Sequence, residues 1–319
     1  MGAAEGGGSY RPGLSGMPDS RVPISWLVTG ARGQLGRDLV PLLTGRDGDE
    51  VTALSRAELE LTDERAVRAA VREWLAGTEG RRAVLVNAAA YTAVDAAETD
   101  EDTAQRVNGA APGWLAEELA GHGRLLHVST DYVFDGAATE PYPVDAAPDP
   151  RTAYGRTKAA GERAVAAAGG EATVVRTAWV YARHGANFVR TMARLATGDG
   201  PVRVVEDQVG SPTYAADLAA GLVSAGEAGQ PPPPVLHYSN TGAASWFDLA
   251  RAVFAEVGAD PGRVHPTTTA DFPRPAPRPA YSVLDTSAWV AAGLPAPRPW
   301  RDALAEAVRD GLPDLVPAG

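Results

Sequence analysis

A short apolar run that leads into three regularly spaced glycines constrains the fold of this chain more than any other stretch. Residues 24–29 predict a buried strand, and Gly30, Gly33 and Gly36 follow directly, ahead of a helical pattern of leucines. The first glycine permits a tight turn, the second lets a pyrophosphate approach the backbone, and the third lets the helix pack close to the strand. Since the first N–H groups of a helix favour bound phosphate, the stretch predicts a dinucleotide site.

Strand and helix patterns continue to alternate after the glycine turn. Apolar runs at 51–54, 83–87, 125–130 and 173–177 predict further strands, and periodic patterns at 65–75 and 100–120 predict helices. This alternation predicts an α/β fold, a Rossmann-like doubly wound parallel sheet with a smaller C-terminal α/β domain. The other expected elements are helices at 188–197, 246–257 and 301–309 and a strand at 237–239.

The domain boundaries follow from these patterns. Residues 1–22 are rich in Gly, Ser and Pro and almost free of apolar residues, so we expect a disordered extension, within which Met17 is an alternative start. We expect a dinucleotide-binding domain at 23–180, with a return segment at about 212–245. A substrate domain is expected at 181–211 and 246–316.

The composition excludes several classes of function. The chain has no Cys, so it has no disulfide framework, thiolate nucleophile or cysteine metal site, and a reducing compartment suits it. A net charge of −11 and a pI near 5.0 argue against nucleic-acid binding. Without an apolar run long enough for a signal peptide or a membrane span, the chain is expected to be cytoplasmic. The His residues are too scattered to predict a metal site.

The end of the second strand bears on the choice of cofactor. An acidic residue at this point would hold the ribose of NAD, but the chain has Ser55 and Arg56, which suit the 2′-phosphate of NADP. Glu58 lies close by, so NADH stays open as an alternative to NADPH. Asp63 is either the N-cap of the next helix or a contact to the adenine.

Small residues follow the third strand, where an open α/β sheet binds its ligand in a crevice. Asn87, Ala88 and Ala89, with Tyr91 just beyond, would let a ligand lie against the backbone. The expected cofactor contacts are Gly30, Arg32, Gly33, Gln34, Leu35, Gly36, Ser55, Arg56, Asp63, Asn87, Ala88, Ala89, Tyr91, Tyr154 and Lys158.

Tyr154 and Lys158 are spaced to share one face of a helix. A nearby ammonium stabilises a phenolate and lowers the pKa of the phenol, so the pair can give a proton to an oxygen that gains negative charge, as in carbonyl reduction. Thr130 ends a strand where it can hydrogen-bond a substrate oxygen beside the Tyr154 hydroxyl. An exposed Tyr and a solvated Lys are the ordinary alternative for such a pair, and the surrounding motifs argue against it.

Taken together, these motifs resemble the dTDP-4-dehydrorhamnose reductase family of extended short-chain dehydrogenases/reductases. The resemblance extends over about residues 24–310. It is carried by the glycine turn, Asn87-Ala88-Ala89, Ser129-Thr130-Asp131-Tyr132-Val133-Phe134-Asp135-Gly136, Tyr154-Gly155-Arg156-Thr157-Lys158, Arg176-Thr177-Ala178-Trp179, Asp207-Gln208-Val209-Gly210-Ser211-Pro212-Thr213 and Arg278-Pro279-Ala280-Tyr281-Ser282.

The resemblance implies a catalytic triad and a substrate. Hydride would pass from the nicotinamide to the C4 ketone of a dTDP-4-keto-6-deoxyhexose, above all dTDP-4-dehydro-L-rhamnose. Tyr154 would donate the proton, Lys158 would lower its pKa and hold the nicotinamide ribose, and Thr130 would orient the carbonyl. Arg278 would clamp the diphosphate. The implied substrate contacts are Thr130, Asp131, Tyr132, Trp179, Asn187, Gln208 and Arg278.

Several alternatives stay open at this point. One is a ketoreductase for another dTDP-deoxysugar of secondary metabolism, and another is a non-catalytic NADP-binding regulatory subunit, which would not need the whole triad. Dehydratase chemistry is disfavoured because only Asp131 of the expected acidic pair follows Thr130. A homodimer is compatible with the sequence. No residue pattern supports the magnesium ion that some relatives hold.

Overall fold

The computed structural model describes residues 21–311, so most of the expected N-terminal extension and the end of the expected substrate domain lie outside it. The strands are β1 Ile24–Thr29, β2 Glu50–Leu54, β3 Arg82–Asn87, β4 Gly123–Thr130, β5 Glu171–Thr177, β6 Val180–Tyr181, β7 Val202–Val205, β8 Val209–Gly210, β9 Thr213–Tyr214, β10 Val235–His237, β11 Ala244–Ser245 and β12 Val264–Thr267. The helices are α1 Gln34–Thr44, α2 Glu64–Ala76, α3 Val94–Ala97, α4 Glu101–Ala104, α5 Ala111–Leu119, α6 Ala153–Ala168, α7 Phe188–Ala196, α8 Ala215–Glu227, α9 Trp246–Glu256, α10 Ser287–Ala291 and α11 Trp300–Gly311.

Six parallel strands form the central sheet, in the order β2-β1-β3-β4-β5-β10. Strands β1 and β3 are buried almost throughout, as expected for strands that are covered on both faces. The strand order reverses between β1 and β3, which opens a crevice at their carboxyl ends. The predicted doubly wound parallel sheet is confirmed.

Helices cover both faces of this sheet. Helices α1 and α8 pack together on one face, around Trp26, Leu39 and Leu222. Helices α2, α5 and α6 cover the other, around Val71 and Leu115. None of the helices within residues 21–311 is long and apolar enough to span a membrane.

A second apolar core lies in the C-terminal part of the chain. Helices α7, α9 and α11 meet there beside the parallel pair β7 and β12, and Met192, Val253 and Leu304 are buried between them. The segment between these parts returns to the first core, since α8 packs on α1 and β10 pairs with β5.

The predicted helix over 100–120 is wrong as a single regular helix. The chain forms α4, then a π-helical turn at Gln105–Ala110, then α5. The turn is tied to Asn108, whose Oδ1 accepts a hydrogen bond from the Tyr91 N–H at 2.8 Å and whose Nδ2 donates to the Tyr91 carbonyl at 3.1 Å. The wider turn is thus fixed by a tertiary contact, as π-turns at functional sites often are.

The predicted strand at 237–239 is shifted in the structure to Val235–His237. Its register is set by pairing with residues Val174 to Arg176 of β5. The long helix α8 has no counterpart among the sequence predictions. Its sequence is rich in Ala and Gly and apolar on most sides, so it lacks the polar stripe that marks a surface helix.

Candidate active site

The carboxyl ends of β1, β3 and β4 open into a cavity of about 1030 Å³. It lies at the point where the strand order reverses, which is where open α/β sheets bind ligands. Most of the residues predicted for the site line it, namely Gly30, Arg32, Gly33, Gln34, Leu35, Ser55, Arg56, Ala88, Ala89, Tyr91, Thr130, Asp131, Tyr132, Tyr154, Lys158 and Trp179.

The glycine turn leaves no room for side chains. A Cβ on Gly30, where φ is +74°, would come within 2.7 Å of the Ala89 nitrogen. A Cβ on Gly36 would come within 2.3 Å of the Gly30 carbonyl oxygen, so Gly36 packs the turn against the helix and does not line the cavity. The turn therefore presents bare backbone at the start of α1, which fits the pyrophosphate of a dinucleotide.

Two arginines flank the end of the cavity beside β2. Arg32 and Arg56 both line it, and their side chains are 74% and 88% exposed, so both are accessible to a ligand. The Glu58 carboxylate does not line the cavity: one oxygen accepts hydrogen bonds from the backbone N–H and the hydroxyl of Ser55, and the other lies 3.5 Å from the Arg32 guanidinium. These hydrogen bonds lower the pKa of Glu58.

Three side chains from β4 and α6 meet deeper in the cavity. Thr130 ends β4, and Tyr154 and Lys158 lie one turn apart at the start of α6. Helix α6 begins there because Thr152 caps it, with Oγ1 accepting a hydrogen bond from the Gly155 N–H at 3.0 Å. Tyr154 is held further by Tyr132, whose ring packs edge to face at 5.5 Å between centroids.

Burial governs the acidity of this group. It raises the pKa of Tyr154 to about 12, although a hydrogen bond with Thr130 opposes the rise. Burial also raises the pKa of Asp131 to about 6, and Thr130 Oγ1 donates to Asp131 Oδ1 at 2.9 Å. Tyr154 thus keeps its proton through the neutral range.

The expected effect of Lys158 on the pKa of Tyr154 is not seen in this structure. The Lys158 Nζ donates a hydrogen bond of 2.7 Å to the Val128 carbonyl of β4, so its charge is directed to the sheet. Burial lowers the pKa of Lys158 itself to about 8, against the nearby Glu162 carboxylate. The shared helix face was predicted correctly, but the direction of the amine depends on β4.

Two tryptophan rings stack in the wall of the cavity. The centroids of Trp179 and Trp246 are 3.6 Å apart, and their planes differ by 6°. Both rings line the cavity. Trp179 comes two residues after the end of β5, and Trp246 begins α9. Trp179 has φ +47°, in the left-handed region, a strain that non-glycine residues adopt mainly where function requires it.

Some predicted site residues lie outside this cavity. Asp63 caps α2 through hydrogen bonds from the Arg65 and Ala66 N–H groups, so the structure favours its capping role over an adenine contact. Asn87 is buried, and its amide connects Thr29 and His127 at 2.7 and 3.0 Å. Asn87 therefore does not line the cavity itself but contacts residues next to it.

Three predicted substrate contacts also lie outside the main cavity. Asn187 caps α7 and donates a hydrogen bond to the Gln34 side chain at 3.0 Å. Gln208 donates to the Thr269 hydroxyl at 2.9 Å. Arg278 pairs with Asp95 at 2.8 Å and lines a smaller neighbouring cavity of about 220 Å³, so its guanidinium is already engaged by a carboxylate.

Sequence reasoning missed two residues that contact the predicted ones. Trp246 was taken only as the start of a helix, although an aromatic residue right after the capping Ser245 was a usable signal. His127 lies fully buried in β4 with its Nε2 atom 3.4 Å from Lys158 Nζ. Its signal was a polar residue in the middle of an apolar strand. Within residues 21–311, no cluster of three or more His, Asp or Glu side chains is arranged to hold a metal ion.

Comparisons with known proteins identify the family of the chain and match its fold. Residues 24–312 match the family model described as "RmlD substrate binding domain". A dTDP-4-dehydrorhamnose reductase of Streptomyces griseus is 51% identical over 88% of this chain and 92% of its own. A probable dTDP-4,6-dihydroxy-2-methyloxan-3-one 4-ketoreductase of Streptomyces antibioticus is 50% identical over 92% of this chain and 97% of its own. The crystal structure of the Bacillus anthracis dTDP-4-dehydrorhamnose reductase with NADP aligns with a TM-score of 0.83 and 32% identity, over 90% and 99% of the two chains. The chain belongs to the dTDP-4-dehydrorhamnose reductase family of extended short-chain dehydrogenases/reductases.

Proposed function

We propose that the protein is an NADPH-dependent reductase that converts the C4 ketone of a dTDP-4-keto-6-deoxyhexose to an alcohol. Its proposed substrate is dTDP-4-dehydro-L-rhamnose and its product dTDP-L-rhamnose. The observation that carries the proposal is the convergence of Thr130, Tyr154 and Lys158 in the same cavity as the glycine turn. A cytoplasmic location is part of the proposal, since a chain without Cys suits a reducing compartment.

The residues of the triad have separate roles in this proposal. A bound nicotinamide would supply the hydride. Tyr154 supplies the proton to the developing alkoxide, which a phenol with a pKa of about 12 can do because an alkoxide is the stronger base. Thr130 orients the ketone oxygen beside the Tyr154 hydroxyl. Lys158 holds the ribose of the cofactor, and its ammonium would stabilise the phenolate that remains once it turns from the Val128 carbonyl toward Tyr154.

The cofactor preference is proposed from the exposed arginines. Arg32 and Arg56 border the cavity at the end of β2, and an arginine fork matches the oxygens of a phosphate. Of the two acidic residues there, Glu58 is engaged by Ser55 and does not line the cavity, whereas Glu60 lines it and lies 3.5 Å from the Arg56 guanidinium, which neutralises its charge. NADPH is therefore favoured over NADH.

The substrate side is proposed from the tryptophan pair. The stacked Trp179 and Trp246 rings form an apolar wall of the cavity, and such a wall suits the face of a deoxysugar. Asp131 and Tyr132 line the cavity next to Thr130 and would contact the sugar hydroxyls. Arg278 lines the adjoining small cavity and remains a proposed contact to the diphosphate. Its ion pair with Asp95 must open before the guanidinium can bind the ligand.

A second candidate has direct support. The relatives at 51% and 50% identity carry the names of two different dTDP-ketosugar reductases, so overall similarity does not distinguish them. The alternative is reduction of another dTDP-4-ketosugar at the same triad. The regulatory-subunit alternative is disfavoured because Thr130, Tyr154 and Lys158 are all present and all line the cavity.

The test is NADPH oxidation followed by absorbance, with enzymatically generated dTDP-4-dehydro-L-rhamnose and identification of the product by NMR. We expect rapid turnover to dTDP-L-rhamnose. Slow turnover with this sugar and rapid turnover with another dTDP-4-ketosugar would favour the second candidate. Tight NADPH binding without turnover of any ketosugar would overturn the reductase proposal. Sedimentation of the same sample would test the homodimer.

A further inference from the structure

Position 158 holds the only lysine of the chain, whereas every other basic side chain among the 29 Lys and Arg residues is arginine. A guanidinium stays protonated in proteins, whereas a buried ammonium can lose its proton near neutral pH. The chain thus has its single amine side chain at the point where the triad needs one. What surrounds that amine is therefore of interest.

The amine has two polar neighbours on β4. Lys158 is 1% exposed, and its Nζ atom lies 2.7 Å from the Val128 carbonyl oxygen and 3.4 Å from His127 Nε2. His127 is fully buried and is not part of the proposed triad. It belongs to the layer between the sheet and α6, where Ser129 and Glu162 also meet.

The hydrogen bonds of Asn87 fix the proton of His127. Asn87 Oδ1 accepts from the Thr29 hydroxyl at 2.7 Å and from the Ala89 N–H at 3.3 Å. Its Nδ2 therefore donates to His127 Nδ1, 3.0 Å away, which must be the unprotonated nitrogen of the ring. The single proton of the neutral imidazole is then on Nε2 and is directed toward Lys158 Nζ.

We propose that His127 is a positioning residue for Lys158. Asn87 holds His127 in one tautomer, and the Nε2–H of that tautomer restricts both the position of the lysine amine and the conditions under which the amine carries its third proton. An N–H bond directed at a neutral amine is favourable, because the amine has a free lone pair, but directed at an ammonium it is repulsive. His127 stays neutral itself, because burial and then the charge of Lys158 keep its pKa well below the ordinary value.

The other charged groups near the amine are consistent with this role. Glu162, on α6, favours the ammonium, but its carboxylate is bound by Arg176 of β5 at 2.7 Å and by Ser129. Asp131 acts on Tyr154 from the far side, beyond Thr130. Burial and the Nε2–H of His127 therefore both disfavour protonation of the Lys158 amine. Burial lowers the pKa of Lys158 to about 8.

The single lysine makes the test direct. Protein grown on ¹³Cε-labelled lysine gives one lysine signal, whose titration reports the pKa of Lys158 alone. We expect a wild-type value well below the ordinary one of about 10.4. His127→Asn keeps an acceptor for Asn87 but removes the Nε2–H, and is expected to raise the pKa of Lys158 by about one unit. An ordinary value in the wild type, or no change in the variant, would overturn the proposal.

His237→Asn is the matched control. His237 is also fully buried, in strand β10, which β5 separates from β4, and its Nε2 atom lies 3.4 Å from the Arg176 guanidinium. The control is expected to change stability without moving the lysine titration. The tautomer of His127 can be measured on the wild-type protein, so this test does not depend on whether a variant folds. The ¹⁵N shifts of labelled histidine should show His127 protonated on Nε2. Protonation on Nδ1 would contradict the proposal.

The consequence for catalysis rests on the proposed reductase function. His127→Asn is expected to lower kcat about tenfold through a displaced amine, with little change in KM. It should also move the alkaline limb of the pH profile of kcat/KM upward, which a merely structural loss would not do. If no ketosugar is reduced by the wild type, the proposed function fails, while the two NMR measurements still decide the role of His127.

Discussion

The indole ring of Trp179 lies directly against the backbone of Gly210. A Cβ at position 210 would come within 2.4 Å of Trp179 Cε2, a distance that atoms in folded proteins do not adopt. Gly210 lies in β8, which pairs with β11 just before Trp246. The glycine thus allows the ring to stack on Trp246 at the edge of the cavity.

The contact predicts a specific effect for Gly210→Ala. The added methyl group must displace the indole, and overpacking of this kind costs about 1–3 kcal/mol. We expect KM for the sugar nucleotide to rise at least about tenfold. The Kd for NADPH, measured by fluorescence, should stay unchanged, because the atoms nearest a Cβ at position 210 belong to Trp179 and not to the glycine turn.

Gly200→Ala is the control for this substitution. No atom lies within 4 Å of a Cβ at Gly200, and its φ is not positive, so the same chemical change should leave both constants as they are. A normal KM in Gly210→Ala would mean that the tryptophan pair does not contact the sugar.

Tyr154→Phe tests the proton donor. The variant keeps the ring packed against Tyr132 and removes only the hydroxyl, so NADPH binding should be retained. General acid catalysis contributes about 10²–10⁴-fold, and kcat is expected to fall by that factor. Stopped-flow measurement of NADPH oxidation gives both quantities.

Tyr181→Phe is the matched variant elsewhere in the molecule. Tyr181 is 2% exposed, and its hydroxyl has no hydrogen-bond partner within residues 21–311. Loss of that hydroxyl should change neither kcat nor stability by much. Near-normal kcat in Tyr154→Phe would mean that another group donates the proton.

The fold was predictable because its determinants are local in sequence. The glycine turn after β1 and the apolar strands carry their patterns within a few residues, and they were predicted to within one or two residues. The π-helical turn was not, because the hydrogen bonds between Asn108 and the Tyr91 backbone join segments that only the fold brings together. Local patterns do not contain that information.

The same distinction applies to the site. The spacing of Tyr154 and Lys158 predicted that both lie on one face of the same helix, and both lie in α6. The direction of the Lys158 amine depends on the Val128 carbonyl of β4, which the spacing does not reveal. The partner of Trp179 is on a helix far along the chain, so the stack with Trp246 could not be predicted. For Asp63, two roles suited the sequence equally, and the capping hydrogen bonds in the structure favour one.

Arg56→Ala tests the origin of the cofactor preference. The exposed guanidinium is expected to contact the 2′-phosphate of NADPH, and its loss should raise KM for NADPH about tenfold, as expected for a charge-assisted hydrogen bond. KM for NADH, which lacks this phosphate, should not change. Arg65→Ala removes an exposed arginine of α2 that does not line the cavity and should affect neither cofactor. Equal losses for both cofactors would argue against a phosphate contact.

Lys158→Met should make the protein inactive and, at neutral pH, more stable. The folded-state pKa of Lys158, about 8, is below its unfolded value, so the buried ammonium destabilises the fold fully below pH 8. The methionine removes this cost of about 3 kcal/mol but also the hydrogen bond to the Val128 carbonyl, about 1 kcal/mol, for a net gain of about 2 kcal/mol.

The pH dependence of that gain distinguishes it from a simple packing effect. As pH rises from 8 to above 10, the unfolded chain binds more protons than the native one, so wild-type stability increases and the advantage of the methionine fades. Urea denaturation at pH 7 and pH 10.5 measures both values. Lys158→Arg retains a charge that cannot be lost and should be less stable than the wild type at pH 10.5, where the wild-type amine is neutral. A methionine variant that is destabilised at pH 7 would show that the amine is not held at an energetic cost, and the low pKa of Lys158 would have to be abandoned.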